Sequence, residues 1–233
     1  MTQAHILIIA TSALRMTNGE PTGAWLEGLT TPFYRFQDSG AAVTVSSIAG
    51  GAIPIDARSV SAKGENDALV ERYLTDDAAQ SAFANTPAFT ELDTAPFDAV
   101  FLPGGHGTMS DHPDNPALAH LIEKFDRSGQ IISAVCHGPA ALVSALASDG
   151  HPLVRGRKIA AFTDSEEHAV GLQDAVPFLL ATKLRALGAL HHSGPDFQPF
   201  AIRDGNLVTG QNPASASRTT ALVIDAVQAR ATA

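Results

Sequence analysis

Short apolar runs alternate along this sequence with longer segments of helical periodicity, and this alternation restricts the fold more than any other feature. Four runs have the length and composition of buried strands: His5–Ala10, Ala42–Ser47, Phe97–Leu102 and Ile131–Val135. Between these runs, the segments 23–39 and 116–128 have apolar residues at helical spacing. Strands that alternate with helices predict an α/β fold with a doubly wound, mainly parallel, flavodoxin-like sheet and helices on both faces.

The rest of the chain extends this pattern with one interruption. Residues 65–83 are charged and helical in spacing, so we predict a small helical insertion at about 60–96, either a lid or an ordinary crossover helix. Pro32 predicts a kink or break in the first helix. Further elements are predicted downstream: a strand at Arg157–Phe162, a helix at Val176–Leu187, a hairpin turn at Asp204-Gly205, and a final helix capped by Asn212 that ends near Ala229. The 233 residues fit a single domain.

Composition narrows the classes of partner and compartment. The net charge is −9 with only 15 Lys and Arg, and no basic run occurs, which argues against nucleic acid and anionic membranes as partners. The N-terminal apolar run is too short to span a bilayer. Cys136 is the only cysteine, so no internal disulfide can form, which fits a cytoplasmic protein.

Cys136 lies where a predicted strand turns directly into a predicted helix. The sequence QIISAVCHGPAAL at Gln130–Leu142 gives a strand, then the cysteine, then Gly138 for a tight bend and Pro139 for a first helical turn. This is the thiol counterpart of a nucleophile elbow. Free amides at a helix N-terminus favour the thiolate, so Cys136 is predicted to be a nucleophile; the alternative is a small buried apolar residue.

Three further groups are expected near Cys136, because the carboxyl ends of parallel strands carry the sites of such sheets. In PGGHG at Pro103–Gly107, the amides of Gly104 and Gly105, with that of His137, could form an oxyanion hole; a plain turn is the alternative. His137 could be a general base. Glu166 or Glu167 could orient it, unless they only begin a solvated helix. No histidine spacing indicates a metal site.

These motifs together resemble the ThiJ/PfpI superfamily, which shares a fold with class I glutamine amidotransferases, and within it the glyoxalase III-like branch that includes stress chaperones. Six stretches carry the resemblance: TGAWLEGLTTPFYRF at Thr22–Phe36, IAGGAIPID at Ile48–Asp56, LPGGHGTMSD at Leu102–Asp111, SAVCHGPAAL at Ser133–Leu142, FTDSEEHAVG at Phe162–Gly171 and DGNLVTGQNPAS at Asp204–Ser215. They cover nearly the whole chain in the right order.

The resemblance implies a catalytic triad of Cys136, His137 and Glu167, with an oxyanion hole around Gly104, Gly105 and the His137 amide. It implies a conversion of 2-oxoaldehydes such as methylglyoxal to 2-hydroxy acids without any cofactor. The thiolate adds to the aldehyde, a base shifts a proton between the two carbons, and water hydrolyses the resulting thioester.

One position departs from the family pattern. The family has a glutamate on the first helix that hydrogen-bonds the cysteine sulfur and relays the proton, and Gly28 occupies that position here. Glu27 lies one residue earlier, about 100° around a helix, and is expected to point elsewhere. Either Glu27 takes over as the acid/base group, or the relay is missing and the glyoxalase activity is weakened.

Two other functions remain open from the sequence. One is a non-catalytic stress chaperone or a redox sensor that uses oxidation of Cys136. The other is a peptidase or amidase with the same Cys-His-Glu triad. Whatever the function, the apolar helices and the family resemblance predict a homodimer, which is the commonest closed assembly.

Overall fold

The computed structural model describes residues 3–231, and the strands of that part of the chain form one large and one small sheet. In chain order the strands are β1 (His5–Ala10), β2 (Ala42–Ser47), β3 (Ala99–Leu102), β4 (Ile131–Val135), β5 (Lys158–Ile159), β6 (Leu190–His191), β7 (Ala201–Asp204) and β8 (Leu207–Gly210). The large sheet has the order β2-β1-β3-β4-β8-β7, and only the β7–β8 pair in it is antiparallel. β5 and β6 pair separately.

Helices cover both faces of the large sheet. In chain order they are α1 (Leu26–Asp38), α2 (Ala68–Leu74), α3 (Asp77–Ala84), α4 (Thr108–Asp111), α5 (Pro116–Arg127), α6 (Asp164–Ala169), α7 (Leu180–Ala186) and α8 (Ala216–Ala231). Short 3₁₀ turns lie at Ala57–Ser59, Phe89–Glu91, Gly138–Leu142 and Pro213–Ser215. None of the helices in residues 3–231 is long and apolar enough to cross a membrane.

Two apolar cores result from the alternation of side chains along each strand. In β1, Leu7 and Ile9 pack with the apolar faces of α5 and α7, while Ile6 and Ile8 pack on the opposite side with α1, α3 and α8. The first core is filled by residues such as Phe125, and the second contains the Phe36–Phe101 edge-to-face pair. The predicted α/β fold with helices on both faces of a mainly parallel sheet is therefore confirmed.

The helices predicted at residues 23–39 and directly after Cys136 needed correction. α1 begins at Leu26 rather than Gly23, because Ala24 is held in an extended bridge to Ile55. Pro32 lies inside α1 and does not end it. After Cys136 the chain forms only the 3₁₀ turn to Leu142, because the following segment pairs with the chain beyond it through hydrogen bonds such as Leu153 N–H to Ala145 O.

The C-terminal half differs from its prediction in three boundaries. The strand expected at Arg157–Phe162 shortens to β5, because the amide of Ala160 donates to the Thr209 hydroxyl and that of Phe162 to Cys136 O. The helix expected at Val176–Leu187 begins at Leu180. In the hairpin, Asp204 pairs with Leu207, so the turn is Gly205-Asn206, one residue later than predicted.

The segment predicted as an insertion contains α2 and α3 and connects β2 to β3. α2 packs against α1, and α3 packs against α2 and β2. Asp67 and Asp76 cap the two helices by accepting hydrogen bonds from Leu69 N–H and Ala79 N–H. This segment thus thickens the α1 side of the sheet.

The turn after Cys136 should not tolerate a side chain at Gly138. A β-carbon there would lie 2.1 Å from Leu102 O, which is backbone and cannot move aside. We expect Gly138→Ala to destabilise the protein by about 1–3 kcal/mol, measured by urea unfolding. Gly28→Ala is the matched control: its β-carbon would have its nearest contact at 3.8 Å, so a gain of about 0.5 kcal/mol is expected. Equal stabilities of the two variants would contradict this packing.

Candidate active site

Cys136 occupies a strained turn directly after β4. Its φ angle is 61°, in the left-handed region that non-glycine residues seldom adopt. Two hydrogen bonds hold this conformation: the Cys136 amide donates to Gly210 O, and the Phe162 amide donates to Cys136 O. Such strain is concentrated at functional sites, and this geometry is that of the predicted nucleophile elbow.

The loops that follow β3 and β4 meet at Cys136. A β-carbon on Gly104 would lie 2.5 Å from the Cys136 Cβ and 3.0 Å from the His137 amide nitrogen. Only glycine permits so close an approach. Gly105 lines the same cavity as Cys136 and His137. The residues predicted for the oxyanion hole are thus gathered around the sulfur, and their role stays a prediction.

Cys136, His137 and Glu167 form a continuous hydrogen-bonded chain. The Cys136 Sγ is 3.3 Å from His137 Nδ1, and His137 Nε2 is 2.7 Å from Glu167 Oε2. All three side chains are buried. The alternative that Glu166 and Glu167 begin a solvated helix is wrong, since both carboxylates are buried at the start of α6.

Glu166 fixes the helix that carries Glu167. Thr163 caps α6 by accepting a hydrogen bond from the Glu166 amide, and the Glu166 carboxylate accepts one from Thr163 N–H in return. The other Glu166 oxygen accepts from the Phe197 amide and from the side chains of Gln211 and Asn212. Three segments of chain are thereby bound to one buried carboxylate, and the position of Glu167 beside His137 follows from them.

His106 also binds Glu167, and sequence reasoning did not find it. Its Nε2 is 2.7 Å from Glu167 Oε1, and its ring centroid is 4.1 Å from that of His137. It is buried and lines the Cys136 cavity. The sequence feature that could have identified His106 is its place in PGGHG after β3, the same loop that contains Gly104 and Gly105.

The charges of these groups are coupled through Glu167. Burial opposes its ionisation, yet the hydrogen bonds from His106 and His137 bring its pKa well below the usual range. Burial alone would lower the pKa of His137, but the Cys136 sulfur and Glu167 outweigh it and raise that pKa to about 10. Burial and the charge of His137 lower the pKa of His106 to about 4. The site therefore holds a charged and a neutral imidazole on one carboxylate.

A cavity of about 390 Å³ opens beside the Cys136 sulfur. Its wall is mainly apolar and aromatic, with Arg58 as the one residue that is cationic at every ordinary pH; the lining residues are Trp25, Arg58, Gly105, His106, Cys136, His137, Phe162, Val170, Leu172, Phe197 and Pro213. None of these comes from residues 60–96, so that segment does not line this cavity, and its role stays a prediction. The loop after β1 packs against Gly107 through Thr11 but does not line the cavity.

Glu27 and Gly28 face different parts of the molecule. A β-carbon on Gly28 would have the Gly104 amide nitrogen as its nearest contact, at 3.8 Å, so position 28 faces the loop beside Cys136. Glu27 lines a separate groove of about 800 Å³ between α1, α2 and the chain around α8. Burial and the nearby Asp67 raise the pKa of Glu27 in that groove. α1 keeps its regular register, so it does not turn Glu27 toward the sulfur.

Ligand-type atoms of His106, His137 and Glu167 lie within 4.8 Å of one another, a spacing that can suit a metal ion. However, an ionised carboxylate only accepts hydrogen bonds, so both Nε2 atoms must carry protons to bind Glu167. In this arrangement they offer no lone pair to a cation, and the three groups bind one another instead. The predicted absence of a metal stays a prediction.

Comparison with known proteins identifies the family. The DJ-1/PfpI family model matches residues 23–225, and the chain belongs to this family. The resemblance to the ThiJ/PfpI superfamily drawn from the six sequence stretches is therefore confirmed.

Named relatives lie in the glyoxalase III branch. The chain is similar to glyoxalase 3 of Candida albicans, with 32% identity over 91% of this chain and 92% of that protein. It is 30% identical, over 91% of this chain and 92% of the other, to a Saccharomyces cerevisiae protein named glutathione-independent glyoxalase HSP31. The crystal structure of glyoxalase III from Candida albicans superposes with a TM-score of 0.86 at 29% identity, and covers 96% of this chain and 97% of that one.

Removing the charge of Glu167 should slow the reaction of Cys136 with an alkylating reagent. In Glu167→Gln the protonated form of His137 loses the carboxylate that stabilises it. The ring is then charged less of the time, and the thiolate loses its cationic partner. We expect iodoacetamide alkylation at pH 7 to fall about tenfold or more, because the thiolate is the form that reacts. Glu65→Gln, at an exposed position, is the control and should react like the wild type. An unchanged alkylation rate in Glu167→Gln would refute the coupling through His137.

Proposed function

We propose that this protein is a cysteine-dependent, cofactor-independent enzyme of the glyoxalase III type, which converts methylglyoxal to lactate. The hydrogen-bonded chain of Cys136, His137 and Glu167 beside a cavity carries this proposal, because it is the arrangement of an activated thiol nucleophile with its base and orienting carboxylate. The names of the Candida and Saccharomyces relatives give the substrate class: both are glyoxalases, and the second is named glutathione-independent.

Each group has a role in this reaction. Cys136 Sγ adds to the aldehyde carbon, and His137 gives its Nδ1 proton to the oxygen that forms, leaving a hemithioacetal. Glu167 holds the His137 ring and stabilises its cation before that transfer. The amides of Gly104, Gly105 and His137 stabilise the developing negative charge on oxygen. After a proton has moved between the two substrate carbons, water hydrolyses the thioester and releases the 2-hydroxy acid.

The position of Gly28 suggests that the activity is weak compared with relatives that keep the glutamate. No side chain at position 28 can relay a proton, and Glu27 lies in a different groove. A general acid–base group contributes about 100- to 10,000-fold to a rate, so its loss is a large effect.

The partners follow from the same features. We expect a small 2-oxoaldehyde as substrate, a cytoplasmic location in keeping with the single free cysteine, and a homodimer. The net charge of −9 continues to argue against nucleic acid and membrane surfaces as partners.

Methylglyoxal consumption by the purified protein tests the function. We expect formation of lactate without glutathione or added metal, and its complete loss in Cys136→Ala. Absence of lactate from the wild type, with protection of a denaturing client protein by both wild type and Cys136→Ala, would instead favour the chaperone. Hydrolysis of a peptide or amide substrate in place of methylglyoxal would favour the peptidase alternative.

Restoring the glutamate should raise the activity. Gly28→Glu places a carboxylate on the α1 position that faces the Gly104 loop, so we expect the turnover of methylglyoxal to rise about tenfold or more. Unfolding stability must be measured beside it, because replacing a helix glycine also stabilises α1. Glu27→Gln is the control and should leave turnover unchanged. A loss of activity in Glu27→Gln, with no gain in Gly28→Glu, would assign the relay to Glu27.

A further inference from the structure

His106 is a titratable group at the site that the mechanism above does not use. It is 5% exposed and lines the cavity together with Cys136 and His137. Its ring lies against that of His137, with centroids 4.1 Å apart. His106 and the nucleophile thus line one cavity.

The partner of His106 determines its tautomer. Glu167 is held ionised by two imidazoles, and an ionised carboxylate can only accept. His106 therefore donates through Nε2–H, and when the ring is neutral its lone pair lies on Nδ1. The ring is oriented by the same carboxylate that orients His137.

The Nδ1 atom of His106 is a buried acceptor without a hydrogen-bond partner among residues 3–231. Leaving a buried polar atom unsatisfied costs stability, so such atoms are rare and call for an explanation. Here the residue carrying that atom lines the cavity that also contains Cys136.

We propose that His106 is the base that shifts the proton between the two carbons of the hemithioacetal, in the role that the family glutamate cannot fill because position 28 is glycine. This inference rests on the glyoxalase function proposed above and deepens it.

The step balances without any co-reactant. His106 Nδ1 takes the proton from the carbon bonded to Cys136 Sγ, and the electron pair of that C–H bond forms a double bond to the neighbouring carbon, whose carbonyl becomes an enediolate oxygen. The hydroxyl proton passes from the first oxygen to the second. The His106 imidazolium then returns its proton to the second carbon, so the first carbon becomes the thioester carbonyl. The first carbon is oxidised by two electrons and the second is reduced by two.

The carboxylate shared by the two histidines explains why His106 takes up a proton only after the hemithioacetal has formed. While His137 is charged, its charge and burial keep the pKa of His106 at about 4, so His106 stays neutral and its lone pair remains free. Hemithioacetal formation transfers the His137 proton to the substrate oxygen and removes that charge. Glu167 is then free to stabilise a cation on His106, which becomes a stronger base when the carbon-bound proton must leave.

His106→Gln tests the proposal, because its amide can still donate to Glu167 but cannot accept a proton from carbon. We expect methylglyoxal turnover to fall about 100- to 10,000-fold. The Cys136 hemithioacetal should accumulate and be detected by intact mass after a rapid quench. With methylglyoxal deuterated at the aldehyde carbon, the remaining turnover should show a larger isotope effect than the wild type. The pH profile of Cys136 alkylation should not change.

His112→Gln is the matched control. His112 is also buried and also has a ring nitrogen without a partner, but its Nδ1 binds Asp111 and it does not line the cavity. Its turnover should equal that of the wild type. Adding Gly28→Glu to His106→Gln should restore part of the lost turnover, because it supplies another proton relay; a merely structural defect would not be rescued.

Three results would overturn the proposal. Wild-type turnover in His106→Gln would show that the ring takes no part in the reaction. A parallel shift of turnover and of the alkylation profile would make His106 a positioning residue for Glu167. A wild-type protein that forms no lactate at all would remove the glyoxalase function itself, and this outcome is distinguished from the first two by the wild-type assay alone.

Discussion

The site depends on the two hydrogen bonds that join the Glu167 carboxylate to His106 and His137. The carboxylate lies buried with one imidazole on each oxygen, and a buried charge is tolerated only when its hydrogen bonds are made. Its position in turn depends on Glu166, which binds the cap of α6 to the loop at Phe197 and to the chain after β8. Two adjacent carboxylates thus have different tasks: Glu166 joins segments of the fold, and Glu167 sets the charge of the site.

The second constraint is the contact between the loops after β3 and β4. Glycines at 104 and 138 let the two backbones approach to distances that a β-carbon would forbid, and Cys136 is held at a positive φ angle between them. Because β3 and β4 are neighbours in the sheet, His106 from one loop and His137 from the other reach the same carboxylate. The order of strands in the sheet therefore brings the two histidines together.

The fold could be predicted from the sequence where local pattern and burial agree. The bounds of β1, β2 and β4 follow from apolar runs alone, and the cap at Asn212 follows from residue type. Prediction failed where long-range hydrogen bonds override local preference. β5 is short because Ala160 and Phe162 bond to Thr209 and Cys136, and the helix expected beyond Leu142 is replaced by pairing with residues near 152.

The sequence by itself determined the place of Cys136 directly after a strand, its neighbour His137 and the glycine at position 28, because each lies within one motif whose geometry is set by residues a few positions apart. Only the tertiary structure decided that Glu167 is buried, that His106 shares it and that Glu27 lies in another groove. The physical reason is that the hydrogen bonds of Glu167 join residues 30 and 61 positions apart, and the groove of Glu27 joins α1 to distant segments. Such distances depend on the order of strands and the packing of helices rather than on local spacing.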